Sequence, residues 1–317
     1  MNRIFLPALL LSLTLVSGCS DTKNDGPLIP LQQRYLLSSP DSVPEGVAFD
    51  PVERVFYATS LQGGSITRVD ADGTETVFRP ADNRARLVGT KVDADNRRLW
   101  VCAQGVDGLD NRVWVYDLAS AAMVLEFFLG ALSTEGSCND LVLDETGIAF
   151  VTDPANPYIY RLDPISGDGT ILATNPLFND VIGQGLGLNG ISLTADGSAL
   201  IVAHFWNGQL LRVDLPNADN ITALVLSGNA LLPPDGLAEL NGDIYAVSNA
   251  VVSRIQLNGD ATAGEVTVVP QISGLSTATV AEGALYVIKS EVSNFVIGGT
   301  LDTPFEIFQV DLDAFNQ

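Results

Sequence analysis

One short phrase is repeated six times along the chain, and this repeat constrains the fold more than any other feature. In each copy an alternating strand is followed by a polar turn and then by a more apolar strand, as in residues 189–205, NGISLTADGSALIVAHF. The copies start 41 to 50 residues apart. Paired strands at this period are typical of propeller blades. The six copies begin at Glu45, Gly89, Asn139, Asn189, Asp235 and Ser276.

The fold class predicted is all-β, a six-bladed β-propeller with four-stranded blades. Each hairpin is followed by a third strand, and in five copies by a fourth. The sixth copy lacks an outer strand, because the sequence ends at Gln317 soon after its third strand at residues 306–311. Residues 34–38 precede the first hairpin and have no other partner. We therefore expect them to close the ring as the outer strand of blade 6, which removes an exposed sheet edge.

The first residues have the pattern of an export signal, with a basic head, an apolar run over residues 4–16 and small residues before Cys19. Residues 15–19, LVSGC, resemble a bacterial lipobox, which implies cleavage before Cys19 and lipidation of its sulfur. The alternative is an ordinary signal peptide with a cysteine at the cleavage site. We expect three parts, namely a signal peptide at 1–18, a lipidated cysteine and tether at 19–33, and the propeller at 34–317.

Charge and the predicted anchor limit the possible partners. The net charge of −22 is spread along the chain and argues against a nucleic-acid partner, which needs a basic surface. It also argues against electrostatic adhesion to an anionic membrane, so the lipid would be the only membrane contact. We expect a monomer in the bacterial cell envelope, on the periplasmic or outer-membrane face.

Two further cysteines, Cys102 and Cys138, are predicted on the same face of adjacent blades. In an exported protein such a pair is open to oxidation. The sequence does not decide between a bridge and two free thiols, because it does not give their distance.

The first residue of each copy is expected to line the mouth of the central channel. Four of the six carry carboxylate or amide oxygens suited to a hard cation, and two of these four are carboxylates. Carboxylate and amide oxygens without His or Cys are typical of a calcium site. The competing interpretation is that Asn-Gly and Asp-Gly pairs form turns at strand starts. Their coincidence at one blade position favours a metal site made by Glu45, Asn139, Asn189 and Asp235.

Four short motifs resemble the signatures of the gluconolactonase/regucalcin (senescence marker protein) family, and the resemblance covers residues 34–311. It implies a six-bladed propeller with one divalent metal, acting on lactones and related esters. It also implies that Glu45, Asn189 and Asp235 are metal ligands, that Asn139 is a fourth ligand or a substrate contact, and that Asp235 is the candidate base. The motifs are Pro44-Glu45-Gly46, Cys138-Asn139-Asp140, Asn189-Gly190-Ile191 and Pro234-Asp235-Gly236-Leu237.

The chain departs from that family at Ser137, where sugar-lactone members usually have an arginine. A less polar lactone or ester is therefore as well supported as a sugar acid lactone. The same four-ligand scheme also resembles the wider lactonase and strictosidine-synthase-like propellers, so the subclass stays open.

The ends of the second strands are expected to form a second ring near the site, and it includes the only histidine, His204. His204 is a second candidate base, and the alternative is an inert histidine packed beside Phe205 and Trp206. No G-x-S-x-G motif is present, which disfavours a serine esterase. The second ring comprises Ser60, Gln104, Asp153, His204, Asn249 and Lys289.

The function expected from the sequence is a hydrolase of small-molecule lactones or related esters. It would use one divalent cation, with calcium the expected ion. The alternative is a non-catalytic ligand-binding or scaffold propeller with a structural divalent cation.

Overall fold

A computed structural model describes residues 28–39, 42–179 and 186–317 of the chain. The predicted signal peptide, Cys19 and most of the predicted tether lie outside these residues. Residues 28–30 have no regular secondary structure, and residues 31–317 belong to one compact unit. No helix in the described part of the chain has the length and apolar character needed to cross a membrane.

The strands form six sheets in the order in which the repeats occur. The first strand is β1 (Arg34–Leu37). Blade 1 contains β2 (Pro44–Asp50), β3 (Val55–Ser60), β4 (Ile66–Val69) and β5 (Glu75–Arg79). Blade 2 contains β6 (Ala85–Asp93), β7 (Arg98–Gly105), β8 (Arg112–Asp117) and β9 (Met123–Phe128). Blade 3 contains β10 (Leu141–Leu143), β11 (Ala149–Thr152), β12 (Tyr158–Leu162) and β13 (Gly169–Thr174).

The second half of the ring repeats this plan. Blade 4 contains β14 (Leu188–Leu193), β15 (Ala199–His204), β16 (Gln209–Asp214) and β17 (Ile221–Ala223), followed by β18 (Val225–Gly228). Blade 5 contains β19 (Leu237–Leu240), β20 (Asp243–Ser248), β21 (Val251–Leu257) and β22 (Ala263–Pro270). Blade 6 contains β23 (Leu275–Ala281), β24 (Ala284–Lys289) and β25 (Phe305–Gln309). The helical segments are α1 (Val292–Val296) and the 3₁₀ turns Leu129–Ala131, Pro176–Phe178 and Leu312–Asn316.

The six inner strands, β2, β6, β10, β14, β19 and β23, each contact the inner strands of both neighbouring blades, so the sheets close into a ring. Inner and second strands are covered on both faces by adjacent blades, and this explains their long apolar runs. Every residue of β2 and of β15 is buried, whereas the outer strand β5 has no buried residue. The fold is the predicted all-β six-bladed propeller.

The predicted closure by the N-terminal strand is confirmed. Strand β1 pairs antiparallel with β25, from Arg34 opposite Phe308 to Leu37 opposite Phe305. The ring of Tyr35 packs against Phe56 of blade 1, with ring centroids 5.3 Å apart. The closing strand therefore joins the last blade and also fills the interface between the last and first blades.

Blades 4 and 5 differ from the predicted plan of one outer strand in each blade. Strand β17 ends at Ala223, and β18 then pairs in parallel with β22 of the next blade. Leu224 lies between the two strands and packs in the apolar cluster shared by blades 4 and 5, while its N–H donates to Leu210 of blade 4. The chain thus passes from blade 4 to blade 5 at the buried Leu224, and blade 5 has a fifth strand.

Candidate metal site in the channel

Each blade has a β-bulge at the same point, within the inner strand or directly before it, in which two residues oppose one residue of the second strand. In blades 1, 2, 4 and 6 the ladder skips two residues, for example from Leu188 to Ile191. In blade 3 the N–H of Asn139 donates to Thr152, whose N–H donates to Asp140. Bulges re-aim side chains and often lie beside functional sites. The first bulge residues are Glu45, Val88, Asn139, Asn189, Asp235 and Ser276.

Five of these six residues are the predicted first residues of the copies, and blade 2 is the exception. Leu87 pairs with Ala103 and Thr90 pairs with Val101, so Val88 and Gly89 form the bulge. The residue equivalent to Glu45 is therefore Val88, and the predicted alignment of Gly89 is wrong by one position. The four polar candidates keep their equivalence.

The carbonyl oxygens of all six first bulge residues accept a hydrogen bond from a neighbouring blade, which makes a closed ring of bonds. This ring fixes the backbone from which the candidate side chains project. Three donors are backbone N–H groups, Gly89 to Asn139 (2.9 Å), Gly190 to Asp235 (2.7 Å) and Gly236 to Ser276 (2.9 Å). Three are hydroxyls, Thr59 to Val88 (2.8 Å), Thr152 to Asn189 (2.6 Å) and Ser276 to Glu45 (2.8 Å).

Glycine occupies the second bulge position in four blades, because the inner strands approach too closely for a side chain there. A Cβ on Gly190 would lie 2.3 Å from the carbonyl oxygen of Asp235. A Cβ on Gly236 would lie 2.0 Å from the hydroxyl oxygen of Thr277. Neither glycine has a positive φ, so the turn interpretation of Asn-Gly and Asp-Gly fails here. These glycines serve the contact between blades.

The four candidate side chains differ in their exposure. Glu45 and Asn189 are buried, while Asn139 and Asp235 are half-buried. The side-chain amide of Asn189 hydrogen-bonds to the carboxylate of Asp235. Among the described residues, no donor reaches Oε2 of Glu45 or Oδ1 of Asn189.

The electrostatics show that the carboxylates lie close together. Burial raises the pKa of Asp235 to about 7, the hydrogen bond from Asn189 opposes this, and the charge of Asp140 adds to it. The pKa of Glu45 is raised well above its usual range by burial first, then by the charges of Asp235 and Asp140. In the absence of a cation, this end of the channel therefore disfavours negative charge.

Sequence reasoning missed Asp140 and its partner Lys91. Asp140 is buried and takes the second bulge position of blade 3, where four other blades have glycine. Its Oδ1 lies 3.9 Å from Nζ of Lys91 and accepts the N–H of Leu141 at 2.8 Å. Burial raises the pKa of Asp140, and Lys91 opposes that rise. The sequence did hold a signal for Asp140, because it stands where four of the other copies have glycine.

The residues present fit a hard, oxygen-bound cation. Oε2 of Glu45, Oδ1 of Asn189 and Oδ2 of Asp140 are buried acceptor atoms without a donor among the described residues. Such atoms are costly unless a cation or donor satisfies them. No three His, Cys, Asp or Glu side chains of the described residues form a group that could hold a metal ion. A cation here would therefore depend on amide oxygens as well as on carboxylates.

Members of the predicted second ring mostly organise loops. Asp153 is fully buried and accepts the N–H of Ser137 (2.9 Å), the hydroxyl of Tyr160 (2.7 Å) and two further N–H groups. Gln104 donates to the carbonyl of Cys138, and Lys289 pairs with Asp302 at 2.8 Å. These contacts satisfy the side chains before they could reach a ligand.

His204 is fully buried at the end of β15. Its Nε2 lies 3.0 Å from the carbonyl oxygen of Asn179, which can only accept, so Nε2 carries the hydrogen. Its Nδ1 has no partner among the described residues. A role for His204 as general base stays a prediction.

Cys102 and Cys138 are free thiols in this structure, and both are fully buried. The thiol of Cys138 donates to the carbonyl of Arg112 at 3.5 Å, and the two thiols also contact each other. Burial raises the pKa of Cys102 well above its usual range, which makes that thiol a poor nucleophile.

No family model matches the chain, and no curated protein sequence is similar to it. Solved structures do resemble it, at low sequence identity. The allergen Mala s 1 of Malassezia sympodialis is 14% identical, with a TM-score of 0.71 over 89% of this chain and 96% of that one. A gluconolactonase from Xanthomonas campestris is 18% identical, with a TM-score of 0.62 over 89% and 91%.

A third similar structure is the PQQ-bound aldose sugar dehydrogenase of Streptomyces coelicolor. It is 17% identical, with a TM-score of 0.60 over 89% of this chain and 99% of that one. At these identities the similarity concerns the fold alone. The chain shares the six-bladed propeller fold with a gluconolactonase and with proteins of other activities.

Proposed function

We propose that the protein is a metal-dependent hydrolase of lactones or related esters. The observation that supports this proposal is that the carboxylates of Glu45 and Asp235 and the amide of Asn189 interact, and that Glu45 and Asn189 present buried acceptor oxygens without a donor among the described residues. These side chains come from blades 1, 4 and 5, so ring closure is required to assemble them. Glu45, Asn139, Asn189 and Asp235 are the proposed ligands of one divalent cation, with calcium the expected ion.

Charge supports this assignment. Glu45 and Asp235 together carry the two negative charges that balance a divalent cation. The third carboxylate, Asp140, has Lys91 as its own counter-charge at 3.9 Å. Because Lys91 balances the charge of Asp140, the cation needs to balance only the carboxylates of Glu45 and Asp235.

A bound cation would polarise the substrate carbonyl and stabilise the developing oxyanion. The chain itself supplies the base. Asp235 is half-buried, so one part of its carboxylate can accept a proton from an attacking water. The amide of Asn189 donates to that carboxylate and fixes its orientation. The bulge backbone of Asp235 is held in turn by Gly190.

The location is proposed on the N-terminal sequence alone. Residues 1–18 would be removed, and the lipidated Cys19 would hold a monomeric propeller in the bacterial cell envelope. Cys19→Ala should move the protein from the membrane fraction to the soluble fraction. Continued membrane retention of this variant would contradict the anchor.

The function is tested with a panel of lactones and aryl esters in the presence of calcium. The wild type should hydrolyse at least one member, and Asp235→Ala should lose that activity. Asp260→Ala is the matched control, because Asp260 is an exposed aspartate in the same blade. Calcium binding with no turnover on any member would contradict the hydrolase and support the alternative, a scaffold propeller with a structural cation.

A further inference from the structure

The inner hairpin of blade 2 extends above the channel mouth farther than the inner hairpins of blades 1, 4 and 6. Strand β6 begins at Ala85, three residues before the first bulge residue Val88, whereas β2, β14 and β23 begin one residue before theirs. In the extension, Arg86 pairs with Gln104 of β7. This projecting arm stands beside the segment that leads to Asn139.

A cavity of about 400 Å³ lies against this arm. Its lining includes Arg86 and Gln104 of the arm, and Glu135 and Ser137 of the segment that leads to Asn139. The side-chain amide of Gln104 donates to the carbonyl of Cys138 at 2.7 Å, which joins the arm to that segment. Ser137 is two residues before Asn139, so a residue of the lining is close in the chain to a proposed metal ligand.

Arg86 is unusual among the cations of this protein. Of the 14 lysine and arginine side chains in the described residues, 12 form ion pairs. Only Arg86 and Arg98 of these 14 have none. The chain has 38 acidic residues and 16 lysines and arginines, so an unpaired acid is expected whereas an unpaired arginine is not. An unpaired guanidinium on a cavity wall is a receptor for an anionic group, which it can bind through two parallel hydrogen bonds.

The rest of the lining restricts the ligand further. Glu135 is exposed and forms no ion pair with Arg86, so it would repel a second anionic group and accept from a hydroxyl. Val106 and Leu109 are apolar and more than half exposed at the cavity edge. The cavity therefore suits a small molecule with one anionic group, at least one hydroxyl and a modest apolar surface.

We propose that this Arg86 cavity binds a carboxylate of the substrate, so the preferred substrate is a carboxylate-bearing lactone or ester rather than a neutral one. The identity of the reacting group rests on the hydrolase proposed above. Recognition of the carboxylate does not depend on that proposal, because binding can be measured whether or not the bound molecule is hydrolysed.

The test compares two small probes, 5-oxotetrahydrofuran-2-carboxylate and the neutral γ-butyrolactone, by calorimetric binding to the full chain with calcium. The carboxylate probe should bind about tenfold or more tightly, because hydrogen bonds to charged groups are the strong ones. Arg86→Gln should abolish that preference, and Arg86→Lys should retain part of it. Arg98→Gln is the matched control, since Arg98 is the other unpaired arginine and begins β7 at the opposite end of the hairpin.

Each outcome decides the proposal. Equal affinity for the two probes, no binding of the carboxylate probe, or an unchanged preference in Arg86→Gln would overturn it. Unchanged melting temperatures should accompany the variants, because the Arg86 side chain is exposed and forms no ion pair among the described residues. Turnover of neutral lactones without an effect of Arg86 would keep the hydrolase and remove this inference. Arg86-dependent carboxylate binding with no turnover would keep the inference and remove the hydrolase.

Discussion

The backbone N–H of Gly190 donates a 2.7 Å hydrogen bond to the carbonyl oxygen of Asp235 in the next blade. Both residues lie in bulges, and both bulges carry a proposed ligand. The bond belongs to a ring of six that links every pair of adjacent blades. The hydrogen bonds that join the blades therefore also fix the backbone of the proposed ligands.

A methyl group at Gly190 tests this coupling. The added Cβ would lie 2.3 Å from the Asp235 carbonyl oxygen, so Gly190→Ala should destabilise the fold by about 1–3 kcal/mol and weaken calcium binding. In Gly259→Ala, the control, the Cβ meets nothing within 4 Å. Urea unfolding and calcium titration give the two readouts. Equal stability of the two variants would contradict the close approach of the blades.

The Lys91–Asp140 pair should be coupled energetically. Lys91→Met leaves the buried Asp140 carboxylate without its counter-charge and should cost about 1–3 kcal/mol. Adding Asp140→Asn should recover most of this loss, because the remaining amide carries no charge. A double-mutant cycle in urea measures the coupling. Strictly additive losses would show that the two side chains do not interact.

The stability of the metal-free protein should depend on pH with a defined sign. The pKa of Asp235 is about 7 in the folded protein, against about 3.9 in an unfolded chain. The folded state therefore binds the extra proton between these values, and stability should fall as pH rises from about 4 to 7. Asp235→Asn should reduce this slope without removing it, because Glu45 and Asp140 are shifted in the same direction. A slope unchanged in this variant would contradict the shift.

Strand β1 should be necessary for the fold, whereas residues 20–30 should not. Deleting residues 20–30 leaves Gln33 to accept from Gln309 and leaves Tyr35 in its interface. Deleting residues 20–38 removes the whole strand and exposes the edge of β25. The melting temperature should fall only in the longer deletion. Similar melting of both variants would show that the ring does not need this closure.

The repeats and the bulge positions were visible in the sequence to different degrees. Hairpin alternation gave six blades, and the polar residues Glu45, Asn139, Asn189 and Asp235 were aligned correctly. The shift to Val88 was missed because a valine looks like an ordinary strand residue, although Gly89 aligns with the glycines at the second bulge position of three other blades. The chain passes from blade 4 to blade 5 at Leu224 because this side chain is buried between the two blades. The periodicity of one strand does not reveal such a contact.

Contacts between blades explain most of what sequence reasoning missed. Asp140 and Lys91 belong to different inner strands, and their pairing depends on the stagger of adjacent blades. Asp153 looked like a channel residue because it ends a second strand. Its oxygens are instead used by Ser137, Asn156 and Tyr160, and loop geometry of this kind cannot be derived from strand periodicity.

The central claim is that Glu45, Asn139, Asn189 and Asp235 hold one cation, and the calcium-dependent change in melting temperature tests it most directly. Binding at one hundred times the dissociation constant would add about 2.7 kcal/mol to stability. Chelation should therefore lower the melting temperature of the wild type, and calcium should restore it. Asp235→Asn and Glu45→Gln should lose this response. Asp153→Asn should melt lower in both conditions yet keep the calcium shift, because its carboxylate binds loops. A melting temperature indifferent to both chelator and calcium would contradict the site and the hydrolase proposed from it.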